Sequence, residues 1–243
     1  MGQGHGWEGA VLKLLRGKDF EFTVTGAEDI TPRYRRLRLT DGGMLAATGV
    51  HPTMWVRLWF DNAVKPHQRA YTLVDPDPAN GTFGLEFALH EGRASDWARA
   101  AQPGDTIAAT VHGTAFTDPD PDPAPSHVFA VADSASLPAL NSLLGAMGTA
   151  PATIWFETDH GTDGLPLRTR PSLHDLRPVP RRGAPLVTWV KESLPDLLKD
   201  QPAPYVWIAC DTTTTRALTT YVRKELSVPR QRVNAMGYWR TAA

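Results

Sequence analysis

The chain has 243 residues, 42% of them hydrophobic, and a formal net charge of −1 at pH 7. This length and apolar content suffice for one large or two modest folded domains. The near-zero net charge argues against a nucleic-acid partner, because proteins that bind nucleic acid carry a basic footprint. A single cysteine, Cys210, excludes an internal disulfide and any metal cluster built from cysteines.

The sequence contains no apolar run of the roughly 18 residues that a membrane-spanning helix needs. The N-terminal segment AVLKLLRG is also too short for the apolar core of a signal peptide. The eight histidines of the chain are scattered rather than placed at the spacing of metal ligands, so we expect no protein-held metal. Because the single cysteine fits a reducing compartment, we expect a cytoplasmic protein. We also expect a monomer, and a peripheral contact of AVLKLLRG with a membrane stays open.

Period-two alternation marks the first half of the chain. In residues 82–90, TFGLEFALH, the apolar residues Phe83, Leu85, Phe87 and Leu89 alternate with smaller or charged ones, which is typical of an antiparallel strand. Similar segments are FEFTVT, YRRLRLT, MWVRLWF, HQRAYTLVD and DTIAATV. We predict a tail over residues 1–19 and a small β-barrel over residues 20–117.

A Pro- and Asp-rich stretch, DPDPDPAPS, predicts a linker over residues 118–126. Beyond it, short apolar runs alternate with helical patterns, which predicts a parallel sheet covered by helices over residues 127–243. The helical patterns begin near Leu137 and Leu218. The predicted strands are HVFAVAD, ATIWFETD, LVTWVK and YVWIACD.

The segment HQRAYTLVD, residues 67–75, contains Arg69, Tyr71 and Thr72 in the pattern R-x-Y-T. On a strand, Arg69 and Tyr71 share one face and Thr72 points to the other. An ordinary strand with an exposed arginine accounts for these residues. A flat anionic cofactor accounts for them too, with the Tyr71 ring under a planar heterocycle and the Arg69 guanidinium on a phosphate.

The segment LHEGRASDWARAAQPGD, residues 89–105, predicts a strand end, a glycine turn and a short helix. The N–H groups at the start of such a helix can hold a phosphate, although a plain turn with a capping serine fits equally well.

Two later strands end in small polar residues. Asp133-Ser134-Ala135-Ser136 follows the first of them, and Cys210-Asp211 ends the other. Ligands of open α/β sheets lie beyond the carboxyl ends of the strands, where such residues contact ribose or pyrophosphate. Each motif alone is more often scaffold than site.

In this order, R-x-Y-T, G-x-A-S-x-W-A with P-G-D, D-S-A-S-L-P-A and the terminal Gly-Tyr-Trp-Arg resemble the siderophore-interacting proteins, a family of ferredoxin-reductase-like flavoproteins. The resemblance runs from about Phe20 to Arg240. HQRAYT and ADSASLPALN are most similar to the siderophore-interaction domain of mycobacterial iron-import ABC transporters. The fold class it implies is β + α/β, an antiparallel FAD-binding barrel followed by a Rossmann-like parallel-sheet domain.

The resemblance also implies the residues of each site. The FAD-binding residues would be Arg69, Ala70, Tyr71, Thr72, His90, Gly92, Ala94, Ser95 and Trp97. NADPH or NADH would contact Asp133, Ser134, Ser136, Cys210 and Asp211. The terminal Tyr238, Trp239 and Arg240 would close over the flavin side of a cleft between the domains. A ferric siderophore would lie near Arg57, Lys65, His67, Trp239 and Arg240, and no residue is assigned as catalytic.

Three departures from the family pattern leave the electron donor open among NADH, NADPH and reduced ferredoxin. Val74 stands where many members have a second Arg. Ala132-Asp133-Ser134-Ala135 replaces the usual G-D-E-T, and Ala209-Cys210-Asp211 replaces A-G-E.

The expected function is FAD-dependent reduction of Fe³⁺ in a siderophore, with the mycobactin or carboxymycobactin type suggested by the closer resemblance. The oxygen ligands of a siderophore hold Fe²⁺ far more weakly than Fe³⁺, so reduction releases the iron. Two alternatives stay open: a general NAD(P)H:flavin reductase, or diaphorase, and a siderophore-binding or transporter-docking module without electron transfer. The expected partner is a siderophore importer at the inner face of the membrane.

Overall fold

A computed structural model describes residues 18–60, 67–111, 123–183 and 185–240. The chain separates into two compact units, residues 1–116 and 117–243. The helices of the first unit are α1 (Met44–Thr48) and α2 (Arg93–Ala100). Its strands are β1 (Lys18–Thr31), β2 (Tyr34–Thr40), β3 (Trp55–Phe60), β4 (His67–Asp77), β5 (Thr82–Ala88) and β6 (Thr106–Val111).

The strands of the first unit close into an antiparallel barrel in the order β1-β2-β5-β4-β3-β6. Alternate side chains point inward, so Phe83, Leu85 and Phe87 of β5 are all buried in one apolar core. The predicted antiparallel barrel is therefore confirmed. Its first strand begins at Lys18, two residues before the predicted start, and residues 1–17 of the predicted tail lie outside the described residues.

A buried ion pair lies on the other face of β5. The Glu86 carboxylate is almost fully buried, and the Tyr34 hydroxyl donates a hydrogen bond to it at 2.9 Å. The Arg36 guanidinium donates a second from Nε at 2.9 Å and forms an ion pair with it. These contacts compensate the cost of burying the charge, since an unpaired buried carboxylate would cost several kcal/mol, about 3 or more.

The second unit contains a parallel sheet in the order β11-β10-β7-β8-β9, which confirms the predicted Rossmann-like architecture. Its strands are β7 (His127–Asp133), β8 (Ala152–Thr158), β9 (His174–Pro180), β10 (Pro204–Asp211) and β11 (Val233–Trp239). Its helices are α3 (Leu137–Ala146), α4 (Leu186–Leu198) and α5 (Thr212–Thr220), followed by a π-helical turn (Tyr221–Glu225) and a 3₁₀ turn (Arg230–Arg232). No helix in the described ranges is long and apolar enough to cross a membrane.

The prediction of a strand at LVTWVK is wrong, because these residues form the first half of α4. Leu186, Val190 and Leu194 recur every four residues and are buried, whereas Trp189 between them is 47% exposed. This is helical spacing, but six residues of a mostly apolar run fit a buried strand equally well.

Two strands were not predicted. β9 reads HDLRPVP, with two prolines that argue against a strand, and β11 reads VNAMGYW, with little alternation. Both lie at the edges of the sheet. An edge strand has one side free of ladder hydrogen bonds, and it therefore tolerates prolines and weak patterns.

A tight turn joins β2 to α1 at Asp41. Its buried carboxylate accepts hydrogen bonds from the backbone N–H groups of Gly43 at 3.0 Å and Leu45 at 2.6 Å. Gly42 has φ +57°, and a Cβ atom at this position would lie 2.3 Å from the carbonyl oxygen of Glu21. This turn therefore requires glycine for two separate reasons, conformation and space.

We predict that Gly42→Ala lowers the free energy of unfolding by about 2–4 kcal/mol, measured by urea denaturation, because strain and a backbone clash act together. Gly43→Ala in the same turn is the matched control, because it has φ +86° but no atom within 4 Å of its Cβ. It should cost only about 1 kcal/mol. Equal losses for the two variants would contradict the clash.

Candidate functional site

The R-x-Y-T residues lie on β4 with the predicted alternation. Tyr71 and Leu73 face the apolar core, and Thr72 lies on the opposite face. The Tyr71 ring packs against Phe87, with the ring centroids 4.4 Å apart, and less closely against Phe60 at 6.3 Å. Burial raises the pKa of Tyr71, and the nearby Arg69 charge only partly opposes it. The phenol therefore stays neutral at physiological pH.

The Thr72 hydroxyl is buried and has no hydrogen-bond partner among the described residues. Its neighbour across the sheet is Trp55 on β3, and Ala70 is similarly paired with Arg57. The Arg57 guanidinium stacks over the Trp55 ring at 5.2 Å, and its buried Nε also has no partner in the described part of the chain. One outer face of β3 and β4 thus carries two unsatisfied polar groups.

Positive charge collects near the start of α2. The Arg69 guanidinium lies 3.5 Å from Nδ1 of His67 and donates a hydrogen bond to the Gln68 carbonyl oxygen at 2.8 Å. Arg93 is the first residue of α2. Burial lowers the pKa of His67, and the charges of Arg69 and then Arg93 lower it further. Arg69 makes no ion pair with the carboxylates of the described residues.

α2 begins at a glycine rather than at a capping side chain. Gly92 has φ +134°, a conformation that favours glycine, and no side chain among the described residues caps the helix. The alternative interpretation, in which Ser95 caps the helix, is wrong, because the Ser95 hydroxyl accepts a hydrogen bond from the His90 N–H at 3.2 Å. The first N–H groups of α2 therefore keep their capacity to bind an anion.

Two predicted FAD residues on α2 have packing roles. Trp97 contacts Phe60 and Phe87, with ring centroids 5.8 and 6.0 Å apart, and Ala94 is buried in the barrel core. They fix α2 against the barrel and so fix where its N-terminus lies.

Val74, which stands where many family members have an arginine, is buried opposite Gly84 on β5. A Cβ atom on Gly84 would lie 3.3 Å from the Val74 Cβ. The absence of a side chain at Gly84 thus leaves room for Val74, and any larger residue at position 84 would crowd it.

The predicted siderophore residues belong to different parts of the chain. Arg57 and His67 belong to the barrel and are described above, whereas Lys65 lies outside the described residues. Arg240 is exposed in the second unit.

In the second unit, the carboxyl edge of the sheet is organised by Asp133. Its carboxylate is fully buried and accepts hydrogen bonds from the backbone N–H groups of Ala135 at 2.9 Å and Ser136 at 3.0 Å. The Trp239 indole N–H donates a third at 2.6 Å. Burial raises the pKa of Asp133, and these hydrogen bonds oppose the rise. The Asp133 carboxylate thus joins the turn at Ser136 to Trp239.

The other predicted nucleotide residues lie along the same edge. Asp211 caps α5, accepting hydrogen bonds from the N–H groups of Thr213 and Thr214. Cys210 is buried, which raises the pKa of its thiol to about 12. Ser134 is half-buried at the turn after β7.

Two residues at this edge, Arg181 and Glu157, were not predicted. Arg181, just after β9, donates hydrogen bonds from Nε to Glu157 at 2.9 Å and from Nη1 to Asp159 at 3.3 Å. Its guanidinium also stacks over Trp239 at 5.2 Å. An Arg and a Glu give no motif on their own, and the strand that positions Arg181 was itself missed.

A cleft of about 550 Å³ lies elsewhere on the first unit. Its lining contains no residue predicted from the motifs: Asp29, Ile30, Thr31, Pro32, Arg35, Leu89 and Arg99. It is open, and both of its arginines are paired with carboxylates.

Comparison with solved structures identifies proteins of the same fold. A siderophore-interacting protein from Acinetobacter baumannii superposes with a TM-score of 0.78 at 23% identity, covering 93% of this chain and 92% of that one. A ferredoxin NADP⁺ reductase from Neisseria gonorrhoeae, solved with bound FAD and NADP, gives a TM-score of 0.70 at 16% identity, covering 91% of this chain and 99% of that one. At these identities the likeness establishes the fold.

Among curated proteins, the mycobactin import ATP-binding/permease protein IrtA of Mycolicibacterium thermoresistibile is 34% identical over 96% of this chain. The match covers 26% of that relative's length, so this chain spans about a quarter of it.

Two family models match the chain, one to each unit. The siderophore-interacting FAD-binding domain matches residues 48–113, which contain R-x-Y-T and α2. The siderophore-interacting protein model matches residues 125–242, which contain the whole parallel sheet. The barrel, the sheet and both sets of motifs thus agree, and the chain belongs to the siderophore-interacting protein family.

Proposed function

We propose that this protein is an FAD-dependent reductase that takes electrons from NADPH or NADH and reduces Fe³⁺ bound to a siderophore. The FAD-binding family match supports the flavin, and the reductase-like fold supports the electron transfer. The observation that carries the proposal is that polar groups on β4 and at the start of α2 have no partner among the described residues. Arg69 has no carboxylate partner within the described ranges, the Thr72 hydroxyl is buried without a partner, and α2 has no side-chain cap.

These residues fit FAD, because each supplies what one part of the cofactor needs. The Arg69 guanidinium and the N–H groups at the start of α2 suit a pyrophosphate. The Tyr71 ring is held by Phe87 and Phe60 and offers a flat apolar surface to the isoalloxazine. The Thr72 hydroxyl provides a hydrogen bond that no other described residue uses.

When bound, FAD would accept one hydride from the nucleotide and would pass its two electrons on one at a time. The chain's own residues would bind the cofactor, orient it and exclude water from it. Because burial keeps the Tyr71 phenol neutral, it holds the ring without exchanging a proton with the cofactor. No side chain needs to act as a general acid or base in a transfer of electrons to iron.

For the siderophore we propose the outer face of β3, beside Thr72. Arg57 and Trp55 form a stacked pair there, and the unsatisfied Arg57 Nε suits the oxygen atoms of an anionic chelate. The chelate is of the mycobactin or carboxymycobactin type, a class supported by the mycobactin importers among the relatives. The same relatives support an importer at the inner face of the membrane as the partner.

For the nucleotide we propose the carboxyl edge of β7 and β10. The Asp133 carboxylate already accepts three hydrogen bonds within the protein, so its proposed role is to shape the turn. Ser134, which it leaves half-buried at the tip, would make the direct contact.

The proposed reaction is tested in one anaerobic experiment. The purified protein, loaded with FAD, is mixed with NADPH or NADH, ferric carboxymycobactin and a ferrous-specific chelator, and the flavin and ferrous absorbances are followed together. We expect the flavin to bleach and then recover as ferrous iron accumulates, with saturation at low chelate concentration and poor turnover of free flavin. Flavin that is reduced but does not pass electrons to the chelate would favour a diaphorase. A protein that binds the chelate without taking up flavin would be a binding module.

We predict that Thr72→Val leaves the protein without FAD as stable as the native chain or up to about 1 kcal/mol more stable, because the buried hydroxyl has no partner to lose. The same variant should lose part of the thermal stabilisation that FAD confers, measured by the shift in Tm on adding FAD.

The matched control is Thr110→Val, another buried strand threonine. Its hydroxyl accepts a hydrogen bond from the Trp59 indole at 2.8 Å and donates one to Asp19 at 2.7 Å. This variant should lose about 1–3 kcal/mol with or without FAD. A similar loss in Thr72→Val without FAD would contradict the role of Thr72.

We predict that Arg57→Met raises the KM for an anionic ferric chelate about tenfold or more and leaves the affinity for FAD unchanged, because only the chelate loses a charged hydrogen bond. Initial rates over a range of chelate concentrations measure this. Arg38→Met is the control, because Arg38 is exposed and only weakly paired with Glu28 at 3.4 Å. Equal effects of the two variants would mean that Arg57 acts only through overall charge.

A further inference from the structure

The strand order places two carboxylates and an arginine at the carboxyl edge of the parallel sheet. β7 has β8 on one side and β10 on the other, and β8 is followed by β9. Asp133 at the end of β7 is the register partner of Glu157 near the end of β8. Ligands of such sheets lie beyond the carboxyl ends of the strands, at the point where the strand order reverses. In this sheet that point is the end of β7.

The arginine at this edge, Arg181, is already bound within the protein. Its guanidinium donates hydrogen bonds to Glu157 at 2.9 Å and to Asp159 at 3.3 Å. It also stacks over Trp239 at 5.2 Å. The Glu157 side chain is only 14% exposed, and Arg181 is its ion-pair partner within the described ranges. Moving this arginine towards a ligand would leave a largely buried carboxylate without its partner, which is strongly unfavourable.

The pKa values at this edge reflect the same charges. Burial lowers the pKa of Arg181, but the Glu157 hydrogen bond and the surrounding carboxylates outweigh it and raise that pKa. Burial is the main cause of the raised pKa of the Cys210 thiol on β10. Three carboxylates raise it further, those of Asp133, Asp211 and Glu157. Negative potential therefore extends from β8 to the end of β10, and it opposes any additional anionic group.

Asp159 lies just beyond the end of β8 and reaches the surface. Its side chain is 37% exposed, and its bond to Arg181 is the longer of the two. The buried Thr158 hydroxyl holds the turn there, accepting a hydrogen bond from the His160 N–H at 3.3 Å and donating one to the Gly161 carbonyl oxygen at 2.7 Å. Asp159 thus offers a carboxylate with acceptor capacity to spare, next to the end of β7.

We propose that this edge selects NADH over NADPH, with Asp159 accepting the hydroxyl hydrogens of the adenosine ribose and excluding a phosphate at its 2′ position. This rests on the proposed function, because it assumes that the nucleotide binds at the carboxyl edge of β7. In dinucleotide-binding sheets an acidic residue in this region binds the ribose 2′-hydroxyl of NAD, whereas an arginine accommodates the 2′-phosphate of NADP. Here Glu157 holds Arg181, and Asp159 repels the phosphate.

Another arginine, Arg182, is exposed and directly follows Arg181. It comes after β9, which is one strand farther from β7 than the strand that ends beside Asp159. Neighbouring strands are about 4.8 Å apart. A ribose bound beyond β7 and β8 therefore meets Asp159 first.

The test uses the full chain loaded with FAD, so that the flavin site is filled, and titrates it by calorimetry with ADP-ribose and with 2′-phospho-ADP-ribose. Neither probe contains nicotinamide, so binding is measured apart from electron transfer. We expect ADP-ribose to bind about tenfold or more tightly than its phosphorylated form, because the phosphate removes a hydrogen bond to a carboxylate and adds a like charge. The ratio of kcat/KM for NADH and NADPH should show the same preference.

Two variants of Asp159 test its role. Asp159→Asn should remove most of the preference by strengthening the binding of 2′-phospho-ADP-ribose, and Asp159→Lys should reverse it. Asp175→Asn is the matched control, because Asp175 is another exposed aspartate, bonded to Arg177 at 2.7 Å. It lies near the start of β9, at the opposite end of the sheet, and its variant should keep the full preference.

Equal affinity for the two probes, or an Asp159→Asn variant that keeps the full preference, would overturn this inference and leave the proposed reductase intact. Tighter binding of 2′-phospho-ADP-ribose that Arg182→Met removes would overturn it too, and would assign the phosphate to Arg182. A chain that takes up FAD but binds neither probe would instead overturn the nucleotide site of the proposed function.

Discussion

A strand offers its side chains to only two sides, and the proposed chemistry of the first unit depends on how β4 uses both. One side carries His67, Arg69 and Tyr71, so that charge and aromatic surface follow one another at two-residue intervals. The other side carries Thr72 beside Trp55 and Arg57 of β3. A shift of one residue in the register between β3 and β4 would exchange these two sides, and the closed barrel fixes the register by pairing both edges of each strand.

In the second unit, the acidic residues at the ends of the strands are hydrogen-bonded within the protein itself, without any ligand. Asp133 and Asp211 both accept backbone N–H groups of the turns that follow them. The acidic residues that the motifs suggested as contacts therefore shape the turns, and in the proposed nucleotide site the neighbouring Ser134 would make the direct contact. The contrast with Arg69 and Thr72, which have no such partners within the described ranges, explains why the barrel supports a cofactor proposal more directly.

Much of the fold could be predicted from the sequence because the strands of the barrel alternate strictly and the motifs occur in a specific order. The failures have physical causes. LVTWVK is too short for its helical period to emerge, and β9 and β11 lie at sheet edges, where burial imposes little pattern. Within the site, R-x-Y-T was predictable because its spacing is local. The Arg181 contacts with Glu157 and Trp239 join three strands of the sheet, and nothing in the linear sequence marks such a meeting.

The bond between Asp133 and Trp239 has a consequence for the order in which the second unit forms. β7 is the first strand of this sheet to be synthesised and β11 the last, yet the buried Asp133 carboxylate depends on a donor from β11. While the ribosome is still making the segment after β10, one edge of the sheet is open and this carboxylate lacks its indole partner. Folding of the unit during translation therefore ends with the docking of β11, and until then the exposed edge of β10 is the segment most open to pairing with another chain.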